Sequence, residues 1–161
     1  MNNKTKRPDW DDYFLEIADA VSQRATCDRG KSGCILTRHN RILVSGYVGS
    51  PPGFDHCDEV GHEMKTVTHD DGTTSEHCVR TIHAEQNAIC QAGLNGVNIN
   101  GSTLYIRMTP CRVCAMMLVS CGIKRVVCER RYQRGAESEE IFRVAGVEVV
   151  YKYDETQEYE K

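Results

Sequence analysis

Two short motifs constrain the fold of this chain most: His83-Ala84-Glu85 and, further on, Pro110-Cys111-Arg112-Val113-Cys114. Cysteines three apart at a helix start can both point at one ion, and a histidine from another helix can supply a third ligand. The chain must therefore bring two helix starts together. Three donors leave the fourth tetrahedral position open for water, as catalytic zinc requires. Zinc moves the pKa of its water towards neutrality and so provides a nucleophile. Glu85, two residues after His83, would lie beside the ion without needing to bind it. A carboxylate there can take the water's proton and pass it to a ring nitrogen and then to a leaving amine. Helix starts suit this chemistry, because their free N–H groups and dipole stabilise thiolates.

A lone C-x-x-C is equally compatible with a closed zinc knot built from Cys111, Cys114 and two other ligands. The combination with His83, Glu85 and Pro110 favours the open site. It matches the H-x-E…P-C-x-x-C pattern of zinc nucleobase deaminases.

Nine cysteines are many for 161 residues, and the count is odd. Residues 1–8 lack the apolar stretch of a secretory signal, so the expected compartment is the reducing cytoplasm. There, clustered cysteines bind metal more often than they pair. Cys34, Cys90, Cys121 and Cys128 sit in apolar runs and are assigned to packing. Cys27, Cys57, Cys78, Cys111 and Cys114 lie beside Gly, Pro, His or charged residues and need another reason. No apolar run approaches the length that spans a bilayer, so no membrane partner is expected. The formal net charge of −3 argues against a protein that lives on nucleic-acid phosphates.

The chain reads as a single domain over residues 1–161, with 1–7 and 154–161 frayed. Trp10, Tyr13, Phe14, Ile17, Ala18 and Val21 form one stripe of an amphipathic helix, and Pro8, Asp9, Asp11 and Asp12 suit its start. Residues 33–37 and 42–47 read as two strands of a hairpin turned at 38–41. From 49 to 79 the pattern dissolves, and a loop this long is usually functional or held by something. Four of the six histidines lie in it: His56, His62, His69 and His77. Helices near 83–93, 111–122 and 136–145 end at Gly93, Gly122 and Gly146. Strands at 103–107, 124–128 and 147–153 follow them, which makes the αβ units of a layered α/β domain.

From about residue 7 to residue 151 the chain resembles the deoxycytidylate (dCMP) deaminase family. The resemblance is carried by Arg7-Pro8-Asp9-Trp10-Asp11-Asp12-Tyr13-Phe14, Ala25-Thr26-Cys27, Gly46-Tyr47-Val48-Gly49-Ser50-Pro51 and His56-Cys57. It continues through Thr81-Ile82-His83-Ala84-Glu85-Gln86-Asn87-Ala88-Ile89 and the motif at 110–114. It implies a three-layer αβα sandwich around a central five-stranded mixed sheet, the cytidine deaminase-like fold. It also implies hydrolysis of dCMP to dUMP and ammonia, feeding dTTP synthesis. His83, Cys111 and Cys114 would hold the catalytic zinc, with Glu85 as proton shuttle. Many members are hexamers switched on by dCTP and off by dTTP, which implies a homo-oligomer with those effectors near Gly46, Tyr47 and Gly49.

Some relatives carry a second, structural zinc, two of whose cysteines match Cys27 and Cys57. Cys78 is the expected third ligand and His62 the fourth, with His56 and His77 as competitors. A closed site would explain how so polar a loop is ordered; the alternative is solvated histidines and a free thiol. His39 and His69 are expected to be exposed, and Asp28, Lys31 and Arg41 to form a solvated face. A nucleotide phosphate wants Arg, Lys or backbone N–H groups. Arg24, Arg29, Lys31 and Arg107 are candidates, with Arg107 favoured because it leaves a strand just before Pro110. Tyr132 falls where relatives place an aromatic near the nucleotide. Val48 stands where the family usually has an Asn that contacts the sugar, and valine cannot hydrogen-bond a hydroxyl. The choice among dCMP, dCTP and a 5-substituted dCMP therefore stays open.

Two further functions share parts of the pattern. A deaminase of tRNA or single-stranded DNA would keep the zinc core but needs a basic channel and stacking aromatics. The chain is net acidic with 7% aromatic residues, which argues against it. A non-catalytic, zinc-stabilised binding module has no need of Glu85 beside an open position.

Overall fold

In the computed structural model, which describes residues 6–157, helix α1 (Trp10–Ser22) starts where Asp9 Oδ1 accepts the Asp12 N–H at 2.8 Å. Its apolar stripe buries Phe14, Leu15 and Ala18 against Ile35, Tyr105 and Val127 of the sheet. Its first turn is fastened by charge. Asp11 accepts the Tyr105 hydroxyl at 2.9 Å and both Arg125 terminal nitrogens at 2.7 Å.

Asp11→Asn is expected to cost about 1–2 kcal/mol, allowing for the solvent that reaches this pair, as read by urea denaturation. Hydrogen bonding from Arg125 holds the Asp11 carboxyl below its ordinary value. That contribution is complete above the unfolded carboxyl pKa of about 3.9 and is lost as pH falls through the lower folded value. The variant should therefore lose less stability in acid than the parent does.

The sheet is built from β1 (Gly33–Arg38), β2 (Arg41–Tyr47), β5 (Thr103–Met108), β6 (Arg125–Tyr132) and β7 (Glu148–Tyr151), in the order β2-β1-β5-β6-β7. β1 runs antiparallel to β2 and β5, and β5, β6 and β7 are parallel. Positive φ at His39 and Asn40 allows the tight turn between β1 and β2. Helices α4 (Arg112–Ser120) and α5 (Ala136–Val144) are the crossovers that parallel strands require. Side chains alternate across the sheet. Cys34, Leu36, Leu104, Ile106, Val126 and Cys128 join the core shared with α3 (Ala84–Leu94), α4 and α5, whereas Ile35, Tyr105 and Val127 meet α1. The result is the expected αβα sandwich around a mixed sheet.

β2 passes directly beneath α3. A Cβ on Gly46 would sit 2.2 Å from the Ala84 carbonyl oxygen and 2.5 Å from the Ala88 nitrogen, so only glycine fits there. This contact ties the sheet to the helix that begins after His83.

Three expectations are corrected. The segment 49–79 is not structureless: it holds helix α2 (Cys57–Val60) and an antiparallel hairpin of β3 (Met64–Thr68) and β4 (Thr74–Cys78). Every residue of β3 is exposed, so no apolar alternation announced it. Residues 154–157 do not fray. β8 (Thr156–Gln157) pairs with β6 beyond the end of β7, and the Arg131 N–H donates to the Glu155 carbonyl at 2.9 Å. Of the remaining residues expected to fray, 6 and 7 are exposed and carry no regular structure, and 1–5 and 158–161 lie outside the described residues. Cys90, assigned to packing, lies exposed on α3. Among the described residues no helix is long and apolar enough to cross a membrane.

Candidate active site and metal centres

α3 and α4 both begin at the same end of the sheet. His83 is the N-cap of α3, where its N–H donates to Gln86 Oε1 at 2.8 Å. β5 ends at Met108, and the buried pair Thr109 and Pro110 turns the chain so that Cys111 becomes the N-cap of α4. Cys114 follows one turn on. His83 Nδ1 lies 3.5 Å from both Cys111 Sγ and Cys114 Sγ. Tetrahedral zinc with ordinary bond lengths places nitrogen and sulfur ligands about 3.6 Å apart, so the donor set fits that ion. Cys114 is buried, whereas the edges of His83 and Cys111 reach solvent, so the trio is open on one side.

The electrostatics suit a cation. Hydrogen bonds from Cys114 and His83 hold the Cys111 thiol well below its ordinary value. The hydrogen bond to Cys111 pushes His83 up to about 9. Glu85 sits one residue inside α3 and is 5% exposed. Burial pushes its carboxyl above the usual carboxylate range, against the pull of His83. Among the described residues, the ligand atoms that cluster here are those of His83, Cys111 and Cys114, and Glu85 is not one of that group.

A second cluster brings together Cys27, Cys57, His62 and Cys78, all with donor atoms within 4.8 Å of one another. Cys27 Sγ lies 3.6 Å from His62 Nδ1, and Cys57 Sγ lies 3.6 Å from Cys78 Sγ. These too are the separations of a tetrahedral zinc site, here with four donors and no open position. His62 Nε2 is 2.9 Å from Asp28 Oδ1, which turns Nδ1 towards the cysteines. The other two histidines are engaged elsewhere. His56 Nδ1 bonds Thr26 Oγ1 at 3.1 Å, and His77 Nε2 bonds Ser75 Oγ at 2.7 Å. Asp28 is largely solvated, as the sequence suggests, and is also the carboxylate that orients His62.

The family described as the cytidine and deoxycytidylate deaminase zinc-binding region matches residues 8–130. The chain belongs to that family. The deoxycytidylate deaminase of Schizosaccharomyces pombe is 34% identical over 149 residues, covering 92% of this chain and 46% of the relative. That of Mycobacterium phage D29 is 36% identical over 124 residues, covering 75% of this chain and 94% of the phage protein. The dCMP deaminase of cyanophage S-TIM5, solved in complex with dCMP and dUMP, superposes with a TM-score of 0.72. It is 29% identical, over 90% of this chain and 98% of that one. The chain spans about half the length of the two yeast deaminases it matches.

The other candidate residues read from the sequence fall in different surroundings. Tyr132 closes β6, where burial raises its phenol against the pull of the Arg134 charge. Val48 is 6% exposed and joins the larger core, while its backbone bonds Ser32 and Thr26. Tyr47 lines a groove of about 390 Å³ with Val44, Ser45, Asn87 and Gln91. Gly49 is buried and bridges Ile82, one residue before His83. Arg24 is exposed on the turn after α1. Alternation along β5 puts Arg107 on the α1 side with Tyr105, opposite the helix starts, and its buried Nε has no hydrogen-bond partner. Thr109 and Tyr151, which sequence reasoning passed over, meet behind the Cys111 turn at 3.1 Å.

Proposed function

We propose that the chain is a zinc-dependent hydrolase that converts dCMP to dUMP and ammonia. The observation that carries this reading is Glu85, a buried carboxylate beside an open three-donor set rather than a fourth ligand within it. Zinc held by His83, Cys111 and Cys114 would supply the Lewis acidity that makes water a nucleophile near neutral pH. As the water oxygen bonds to ring carbon C4, Glu85 accepts the proton that water gives up and delivers it to the ring nitrogen N3. It then takes the remaining proton of that oxygen and passes it to the exocyclic amine, whose bond to C4 breaks as ammonia leaves. Burial, which raises the Glu85 carboxyl, suits a group that must act as base and then as acid near neutrality.

The choice of dCMP is supported by the likeness to the cyanophage enzyme seen with dCMP and dUMP, and by the named deoxycytidylate deaminases among the relatives. In this reading Tyr132 meets the nucleotide, and Cys27, Cys57, His62 and Cys78 hold a second, structural zinc. The enzyme works in the cytoplasm, where its product feeds dTTP synthesis. It assembles as a homo-oligomer, a hexamer, and answers to dCTP and dTTP through Gly46, Tyr47 and Gly49.

Ammonia release from zinc-replete protein tests the proposal, with dCMP, dCTP, deoxycytidine, CMP and single-stranded DNA as substrates, each with and without dCTP or dTTP as effector. Preferred turnover of dCMP is expected. Silence on every substrate by protein that holds zinc would overturn the assignment.

A further inference from the structure

A chain of hydroxyl groups braces the turn that presents Cys111. Thr109 is 4% exposed, between the end of β5 and Pro110. Its Oγ1 accepts the Tyr132 N–H at 3.1 Å and lies 3.1 Å from the Tyr151 hydroxyl. Tyr151 donates to Glu139 Oε1 at 2.8 Å. A phenol carries one proton, so once that proton is given to Glu139 the Tyr151 oxygen must accept from Thr109. The chain therefore has a direction: Tyr132 N–H to Thr109, Thr109 O–H to Tyr151, Tyr151 O–H to Glu139. Burial pushes the Tyr151 phenol up, which keeps it a donor.

Arg131 closes the far end. Its Nη1 reaches the same Glu139 oxygen at 2.7 Å, its Nε reaches Asp154 Oδ1 at 2.6 Å, and its guanidinium lies 4.0 Å from the Tyr151 ring centre. The near end packs just as closely. The Gly135 N–H donates to the Tyr132 carbonyl at 2.9 Å, and a Cβ on Gly135 would lie 3.2 Å from the Thr109 Cβ. The turn after β6 therefore rests on the residue that immediately precedes Pro110 and Cys111.

We propose that Tyr151 is a positioning residue for the reaction. Acting through Thr109, it sets the backbone of Tyr132 and the turn that carries Cys111, and so the alignment of the nucleotide with the donor set. Tyr151→Phe tests this, because it keeps the ring under Arg131 and the Arg131–Glu139 pair and removes only the hydroxyl. The kcat for dCMP should fall about tenfold, by more than KM rises, with zinc content retained. The Tyr132 amide should exchange with deuterium faster, as read by NMR. Thr109→Ser should stay within about threefold of the parent, whereas Thr109→Val should reproduce the loss. Combining Thr109→Val with Tyr151→Phe should cost no more than either alone, since both break one chain.

The kinetic readout rests on the deaminase reading, and the amide exchange does not. A parent protein that deaminates nothing would sink the reading of function, while exchange at Tyr132 would still decide the brace. Unchanged kcat in Tyr151→Phe overturns the proposal even if exchange quickens, because the chain then serves the fold alone. Should Tyr151→Phe fail to fold, the contrast between Thr109→Ser and Thr109→Val decides, and equal behaviour of those two overturns it.

Discussion

Glu85→Gln is expected to lower the deamination rate by at least about a thousandfold while the protein still folds and holds its metal. The substitution preserves volume and hydrogen-bonding atoms but removes the group that accepts and returns protons. General acid–base catalysis by one positioned side chain is worth about 10²–10⁴ in rate, and here a single carboxylate serves two transfers. Glu85 is 5% exposed, and burial already disfavours its charged form. A neutral amide there removes a desolvated charge, so the melting temperature should stay level or rise. Rate, metal content and thermal melting measured on the same preparation separate the possibilities. Retained turnover would remove Glu85 from the chemistry. Loss of zinc together with turnover would make it a structural partner of the donor set instead.

The second large effect is expected at Cys57. Its sulfur lies 3.6 Å from that of Cys78, at the foot of the β3–β4 hairpin. Every residue of β3 is exposed, so the hairpin buries almost nothing of its own. Two-stranded hairpins are at best marginally stable in water without such support. In zinc-finger peptides a structural zinc contributes about 10–16 kcal/mol of apparent binding free energy, which there is folding free energy. Cys57→Ala should therefore reduce bound zinc from about two ions per chain to about one, and should open residues 61–79 to protease. Elemental analysis and limited proteolysis read the two effects. The idea fails if stoichiometry and protease resistance both match those of the parent.

The parts of the molecule that could be read from the chain are those in which neighbours in sequence are also neighbours in space. Cys111 and Cys114 lie within one helical turn, and His83 caps a helix whose start is marked by Gln86 three residues on. The αβ units could be read because apolar runs mark the strands and Gly122 and Gly146 close α4 and α5, although α3 runs through Gly93 to Leu94 and turns only at Asn95 and Gly96. The hairpin at 64–78 could not, since period-2 patterning exists only where one face is buried, and β3 buries neither. Residues 154–157 looked frayed because they are charged and short. Their order comes from β6, which runs four residues past the stretch expected and offers them an open edge.

Two outcomes rested on contacts between distant segments, and a third on alternation along a strand. Among His56, His62 and His77, the one that meets the cysteines is decided by where Thr26, Asp28 and Ser75 stand, and composition carries no trace of that. Arg107 precedes Pro110 in sequence yet lies on the opposite side of the sheet, because a strand turns alternate side chains to opposite faces. Thr109 and Tyr151 are 42 residues apart, and the bond between them exists only once β5, β6 and β7 align in parallel. The sequence by itself determined the donor types, the carboxylate beside them and the layered α/β frame, because helix caps and strand runs are local. Only the tertiary structure decided which loop histidine joins the second cluster and which hydroxyls brace the first. Those choices are made by packing across the sheet, and no spacing along the chain encodes them.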